Sequence, residues 1–174
     1  MMIGDLPPGW LMMVGALALP FLPAASRPGT SLGIAISSLI LFLLTPAGDG
    51  AQWMLFDVQL TSVRIDSLSR PFGIVFHIAA ILSAIYAVHV DDVRQHVSGL
   101  VYAGAAIGAA CAGDLITLFV FWELTAVSSV FLIWASDNKR SYRSGMRYLI
   151  IQVASGVLLL TGAVIAYVQT GSIA

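Results

Sequence analysis

Apolar residues fill most of this chain in long blocks separated by short polar breaks. A helix that crosses a bilayer needs about 20 apolar residues. The first block, about 10–25, is predicted to be a helix bent near Pro20 and Pro23, because proline lacks the N–H donor and clashes with the preceding turn. It lacks the basic start of a secretory signal, so it is expected to be retained. The second, about 29–44, opens at Arg27-Pro28-Gly29, with proline in the first turn. Residues 53–65, WMLFDVQLTSVRI, alternate partially and are rich in Val, Leu, Phe and Thr. That pattern predicts a short β-hairpin or an amphipathic segment at the membrane interface. Four more blocks follow, at about 68–89, 97–112, 114–135 and 145–168. The fold expected is all-α: a single polytopic membrane domain of six transmembrane helices, with a short extracytoplasmic β-hairpin or amphipathic segment between helices two and three.

The fourth block, YAGAAIGAACAG at its centre, is rich in Ala and Gly. Small residues let helices approach closely, so this helix should be central rather than lipid-facing. Almost no loop separates it from the fifth, which makes the two an antiparallel pair.

Composition agrees. Of 174 residues, 59% are apolar and 10% charged, against about 45–50% and about 25% in soluble domains. Mean hydropathy is +0.93. An ordinary soluble enzyme and a disordered tail are excluded. A net charge of −1 suggests no nucleic-acid partner. The single cysteine, Cys111, excludes an intrachain disulfide and any thiolate metal cluster built from this chain alone.

Basic residues set the expected orientation. If the N-terminus is outside, inner segments hold Arg27, Arg94, Lys139, Arg140, Arg143 and Arg147, and outer ones hold only Arg64 and Arg70. Both termini are therefore expected outside, with residues 53–65 on the same side.

Glu123 stands out chemically. It lies about 13 Å along the fifth helix, near the middle of a hydrocarbon core about 30 Å thick. An ionised acid there is costly, so it must be protonated or paired with a cation. Either state supports a proton relay. The plainer reading is a neutral hydrogen bond that joins helices. Thr125, Ser128 and Ser129 are hydrogen-bonding neighbours on the same helix, but none carries charge. Asp114 begins this helix, where capping is the simpler role and a place on a transport path the other. Arg147 can snorkel to headgroups. Gln152 suits a water chain or plain interhelical bonding equally. His77 is a mid-membrane imidazole: a satisfied hydrogen-bonding group first, a proton relay second, a haem ligand a poor third. His89, Asp91, Asp92 and His96 match no strong metal template and read as a solvated loop. No nucleotide, flavin or iron–sulfur motif occurs, and no cofactor is expected.

Residues 114–134, DLITLFVFWELTAVSSVFLIW, resemble the fifth helix of the antiporter-like proton-translocating subunits, with Phe-Trp-Glu-Leu as the telling core. These are the large membrane subunits of Mrp-type cation/proton antiporters, respiratory complex I and membrane-bound hydrogenases. RIDSLSRPFGIVF resembles the approach to the family's third helix, and SYRSGMRYLIIQVASGVLLLTGAVIAYVQTGS resembles its sixth. The D-type Mrp protein is the best single match. The resemblance implies a proton path along the membrane midplane, centred on Glu123, in a bacterial inner-membrane complex. It also implies that protons and a monovalent cation, sodium first, are carried. In the family this Glu pairs with a seventh-helix Lys, and their separation sets how tightly that Lys holds its proton. Here the match covers the family's N-terminal third. The only Lys, Lys139, falls in a polar loop. The resemblance thus implies partner membrane subunits, one of which supplies the missing helices and Lys. The expected function is a non-enzymatic transport subunit of such an antiporter or ion-pumping complex. The alternatives are an electron-transfer anchor and a non-conducting assembly subunit.

Overall fold

The structure, a computed structural model, describes residues 6–50, 52–55 and 58–173. Both chain ends, whose side of the membrane is one of the sequence-based expectations, and Phe56 and Asp57, within the segment expected to form a hairpin or amphipathic element, lie outside them.

Helix α1 spans Trp10–Ala16 and then gives way to 3-10 turns at Leu19–Phe21 and Ala24–Ser26. The single bent helix predicted over 10–25 is thus broken. Pro20 enters the first of these turns, and the chain is extended at Leu22 and again at Pro23. Arg27 donates from Nε to the Leu22 carbonyl at 3.0 Å, satisfying an oxygen that the proline break frees. Helix α2 spans Arg27–Leu44 with Pro28 in its first turn.

Four short strands follow: β1 (Gly48–Asp49), β2 (Gln52–Leu55), β3 (Val58–Thr61) and β4 (Arg64–Ile65). They pair antiparallel as β2 with β3 and, nested outside, β1 with β4. Val63 and Ile65 are buried against Phe42 and Cys111.

Helix α3 spans Ser69–Tyr86, α4 Val93–Ala110, α5 Leu115–Trp134 and α6 Lys139–Thr170. Their boundaries follow local caps. Asp92 accepts from the Arg94 amide, so α4 begins before the predicted residue 97. Asn138 and Ser141 form a capping box, so α6 begins well before residue 145. Gly171, at φ +71°, ends it in the left-handed conformation that glycine tolerates.

Helix α4 is central: α1, α2, α3 and α5 all pack on it, and α6 packs on α5. A core of Met12, Ala16, Leu19, Ala35, Ala80, Leu100 and Ile107 sits where the first four helices meet. The Ala and Gly of α4 permit this crowding. Gly9, at φ +87°, lies so close to the Gly104 backbone that an added Cβ would fall 2.5 Å from its oxygen.

Among the described residues, four segments are long and apolar enough to cross a membrane: 24–44, 69–89, 115–134 and 139–170. The helix at Trp10–Phe21 is apolar but short. Helix α4 carries Arg94, Gln95, His96 and Ser98 in its first two turns and is diluted by Gly and Ala. On α6, Ile151, Leu158 and Val164 remain exposed, an apolar face suited to lipid or other helices.

Candidate functional site: the seam between the fifth and sixth helices

Helices α5 and α6 run antiparallel from the turn at 135–138. Gly145, Tyr148, Gln152 and Gly156 recur at three- to four-residue spacing and so share one side of α6. Trp134 of α5 lies against Gly145. Ser129 Oγ and Tyr148 Oη are hydrogen-bonded at 2.9 Å. Beyond them, the Glu123 carboxylate occupies the space left by the missing side chain of Gly156: an added Cβ would collide with Oε1 and approach Cδ to 2.7 Å. Gln152, half-buried, falls between these contacts.

Oε1 of Glu123 is buried and has no hydrogen-bond partner among the described residues. The neighbouring hydroxyls do not serve it. Thr125 donates to the Phe121 carbonyl at 2.8 Å, and Ser128 to that of Leu124 at 2.8 Å. On a helix the carbonyl one turn back is the nearest acceptor, and these side chains take it. Glu123 as a residue is half-buried, but a buried carboxylate oxygen without a partner is unfavourable unless the group binds a proton or meets a cation.

His77 lies elsewhere, in the seam between α2 and α3. It is fully buried. Nδ1 lies 2.7 Å from the Gly73 carbonyl and Nε2 3.1 Å from Ser38 Oγ. The carbonyl can only accept, so Nδ1 carries the hydrogen and Ser38 donates to Nε2. Phe42 stacks on the ring at 5.1 Å. The structure therefore brings Glu123 and Gln152 to one seam and leaves His77 in another.

Asp114 is the N-cap of α5 and more. Oδ1 accepts from the Thr117 amide at 2.7 Å. Oδ2 accepts from the Thr117 hydroxyl at 2.9 Å and the Thr61 amide at 2.8 Å. It ties the end of β3 to the start of α5 while only 5% exposed. Beside it, Gly113 donates to the Thr61 carbonyl and Arg64 to that of Cys111. The Leu115 amide, one of the unpaired donors at a helix start, meets the Ile173 carbonyl at 3.0 Å. Arg147 is exposed on α6. Of the four residues weighed as a metal cluster, three are engaged otherwise: Asp92 with Arg94, His96 with the Val90 carbonyl, His89 edge-on to Tyr86.

Gly156 and Tyr148 were not singled out by the sequence. A signal existed: Gly145 and Gly156 are eleven residues apart, close to three helical turns, so both fall on one face.

Residues 112–174 match the family model described as NADH:quinone oxidoreductase/Mrp antiporter, TM. An antiporter subunit, mnhA2, of Staphylococcus epidermidis is 34% identical over 128 residues, covering 69% of this chain and 16% of that protein. The F(420)H(2) dehydrogenase subunit N of Methanosarcina mazei is 30% identical over 171 residues, covering 94% of this chain and 31% of that one. A Na(+)/H(+) antiporter subunit from Alkalihalophilus pseudofirmus is 27% identical over 177 residues, covering 90% and 22%. The chain thus spans less than a third of each of these curated relatives. Its fold matches a chain of the Mrp complex from Dietzia sp. DQ12-45-1b with a TM-score of 0.78 at 22% identity, covering 95% of this chain and 20% of that one. By sequence match and by fold, the chain belongs to the family of antiporter-like membrane subunits.

Proposed function

We propose that this chain forms part of a proton path in a multisubunit cation/proton antiporter or related ion-pumping complex, with Glu123 as the group that binds and releases the proton. The observation that carries this reading is the buried Oε1, without a hydrogen-bond partner among the described residues, held against Gly156 in a seam that also contains Gln152. A carboxylate so placed calls for a cation. Lys139 does not supply one, since it stands about 26 Å along α6 from Gly156. The cation comes from a Lys elsewhere in the assembled complex. When that Lys approaches, Glu123 is ionised; when it withdraws, Glu123 takes up a proton. Gln152 is positioned to relay between Glu123 and the Ser129–Tyr148 pair. His77, with both nitrogens engaged, serves as a clasp between α2 and α3, and Asp114 as the cap that orients α5. The exchanged cation is sodium, as the name of the A. pseudofirmus relative suggests. The chain is a six-span transport subunit of the bacterial inner membrane with both termini outside.

Glu123→Gln tests this in the assembled complex. The amide keeps size and hydrogen bonding but ends titration. Coupled cation/proton exchange in everted vesicles should be abolished, Glu123→Asp should retain part of it, and subunit content should be unchanged. Exchange at the parental rate in the Gln variant would replace this reading with that of a non-conducting assembly subunit.

A further inference from the structure

At the opposite end of the α5–α6 hairpin from Ile173, a cavity of about 560 Å³ opens among Arg94, Trp134, Asp137, Lys139, Tyr142 and Arg143. That volume is in the range of small-ligand sites. Three cations and one carboxylate line it. Arg94 is already committed: its Nε pairs with Asp92 at 3.1 Å, and its Nη2 lies 3.8 Å from Asp137. Lys139 and Arg143 are one helical turn apart, so both project from the same side of α6. The Ser141 amide near the head of α6 is taken by Asn138, so attraction for an anion here comes from side chains.

Aromatic rings set the depth. Tyr142 stacks on Trp134 at 5.6 Å, and Phe131 meets Trp134 edge-on at 5.6 Å. Trp and Tyr gather where hydrocarbon meets headgroups. Exposed Ile150 and Ile151 follow about two turns along α6, where hydrocarbon begins. The cavity therefore sits at headgroup level, with aromatic walls and a positive floor. Basic pockets between membrane helices at that level suit acidic headgroups.

We infer that this cavity binds the headgroup phosphodiester of an anionic phospholipid, with Lys139 and Arg143 on the phosphate oxygens and the Trp134–Tyr142 pair against the glycerol and upper acyl chain. The ligand chemistry is a phosphate monoanion. The source is the bilayer rather than solution, because the pocket opens at headgroup level beside aromatic rings that an apolar tail can cover.

The test uses the full chain in bilayers, with Trp10, Trp53 and Trp122 replaced by Phe so that Trp134 reports alone. Its fluorescence is quenched by brominated phosphatidylglycerol or brominated phosphatidylcholine at equal mole fraction. The expected result is a preference for phosphatidylglycerol of about fivefold. It should fall to near unity in Lys139→Gln/Arg143→Gln and persist in the charge-matched Arg140→Gln/Arg147→Gln, whose residues do not line the cavity. Native mass spectrometry of the chain with all tryptophans in place, counting retained phosphatidylglycerol in the same two double variants, reads the same contrast without tryptophan replacement. Equal quenching by the two lipids, or equal loss of preference in both double variants, would overturn the site. Relief of the quenching by millimolar inorganic phosphate would overturn the lipid as its source.

Discussion

Asp114→Ala should release the hairpin from the helices. Asp114 accepts from the amides of Thr61 and Thr117 and from the Thr117 hydroxyl, at 2.8, 2.7 and 2.9 Å, at a site 5% exposed. Alanine removes all three acceptors. Loss of an N-cap costs about 1 kcal/mol. The Thr61 amide, stranded in a buried residue, adds about 1–3 kcal/mol. The total expected is about 3 kcal/mol, for a single group that joins β3 to α5. In a chain of this size each kcal/mol moves the unfolding midpoint by about 2–4 °C, so the fall should be about 6–12 °C. Intrinsic-fluorescence unfolding of the solubilised protein measures it, and hydrogen exchange at Thr61 and Thr117 localises it. Asp114→Asn should recover only part of the loss, since one of its two side-chain heads is a donor facing donors. Unchanged exchange at both amides, with a midpoint within about 1 °C of the parent, would refute the assignment of Asp114 as the tie between hairpin and helix.

Other outcomes follow from the same geometry. Gly156→Ala puts a methyl where the Glu123 carboxylate sits and should destabilise by about 1–3 kcal/mol; adding Glu123→Ala should restore the thermal midpoint, and an additive loss would contradict that contact. The Asp66 carboxyl is held below its ordinary value chiefly by the Ser69 amide, then by that of Leu68. Its contribution is present above the unfolded-state value, about 3.9, and disappears as pH falls through the lower folded-state value. Asp66→Asn should therefore flatten stability against pH in that acidic window, which a midpoint series would show. In a Cys111→Ser background, Asn138→Cys should resist impermeant thiol reagent added to intact cells; labelling from outside would reverse the orientation.

Much of the architecture is readable from local features of the chain. The helix starts at α4, α5 and α6 are each marked by Asp or Asn, which satisfies amides that the helix leaves unpaired. The break after α1 is written in Pro20 and Pro23, although a bend underestimates it: two prolines three residues apart remove too many donors for one helix to continue. The small residues of α4 announce its central position because only small side chains let four helices meet at one axis. Glu123 is conspicuous because ionised carboxylates are rare at that depth.

Other features depend on distance in space rather than along the chain. Nothing local to Glu123 points to Gly156, thirty-three residues on, and its nearby hydroxyls suggest partners that the helix geometry instead turns toward its own carbonyls. Asp114 reads as an ordinary cap until β3 is folded back over the α4–α5 turn and brings the Thr61 amide to its second oxygen. His77 reads as a satisfied hydrogen-bonding group first and a relay second, and its partners are known only once Ser38 and Gly73 occupy both nitrogens. Apolar periodicity and caps act within one or two turns, so the sequence by itself determines the segments, while α4 and α6 start earlier than the apolar blocks predict because the Asp92 and Asn138 caps lie in polar stretches outside those blocks. Which polar group meets which depends on helix packing and register. Those are set by the summed fit of many side chains, and only the tertiary structure decides them.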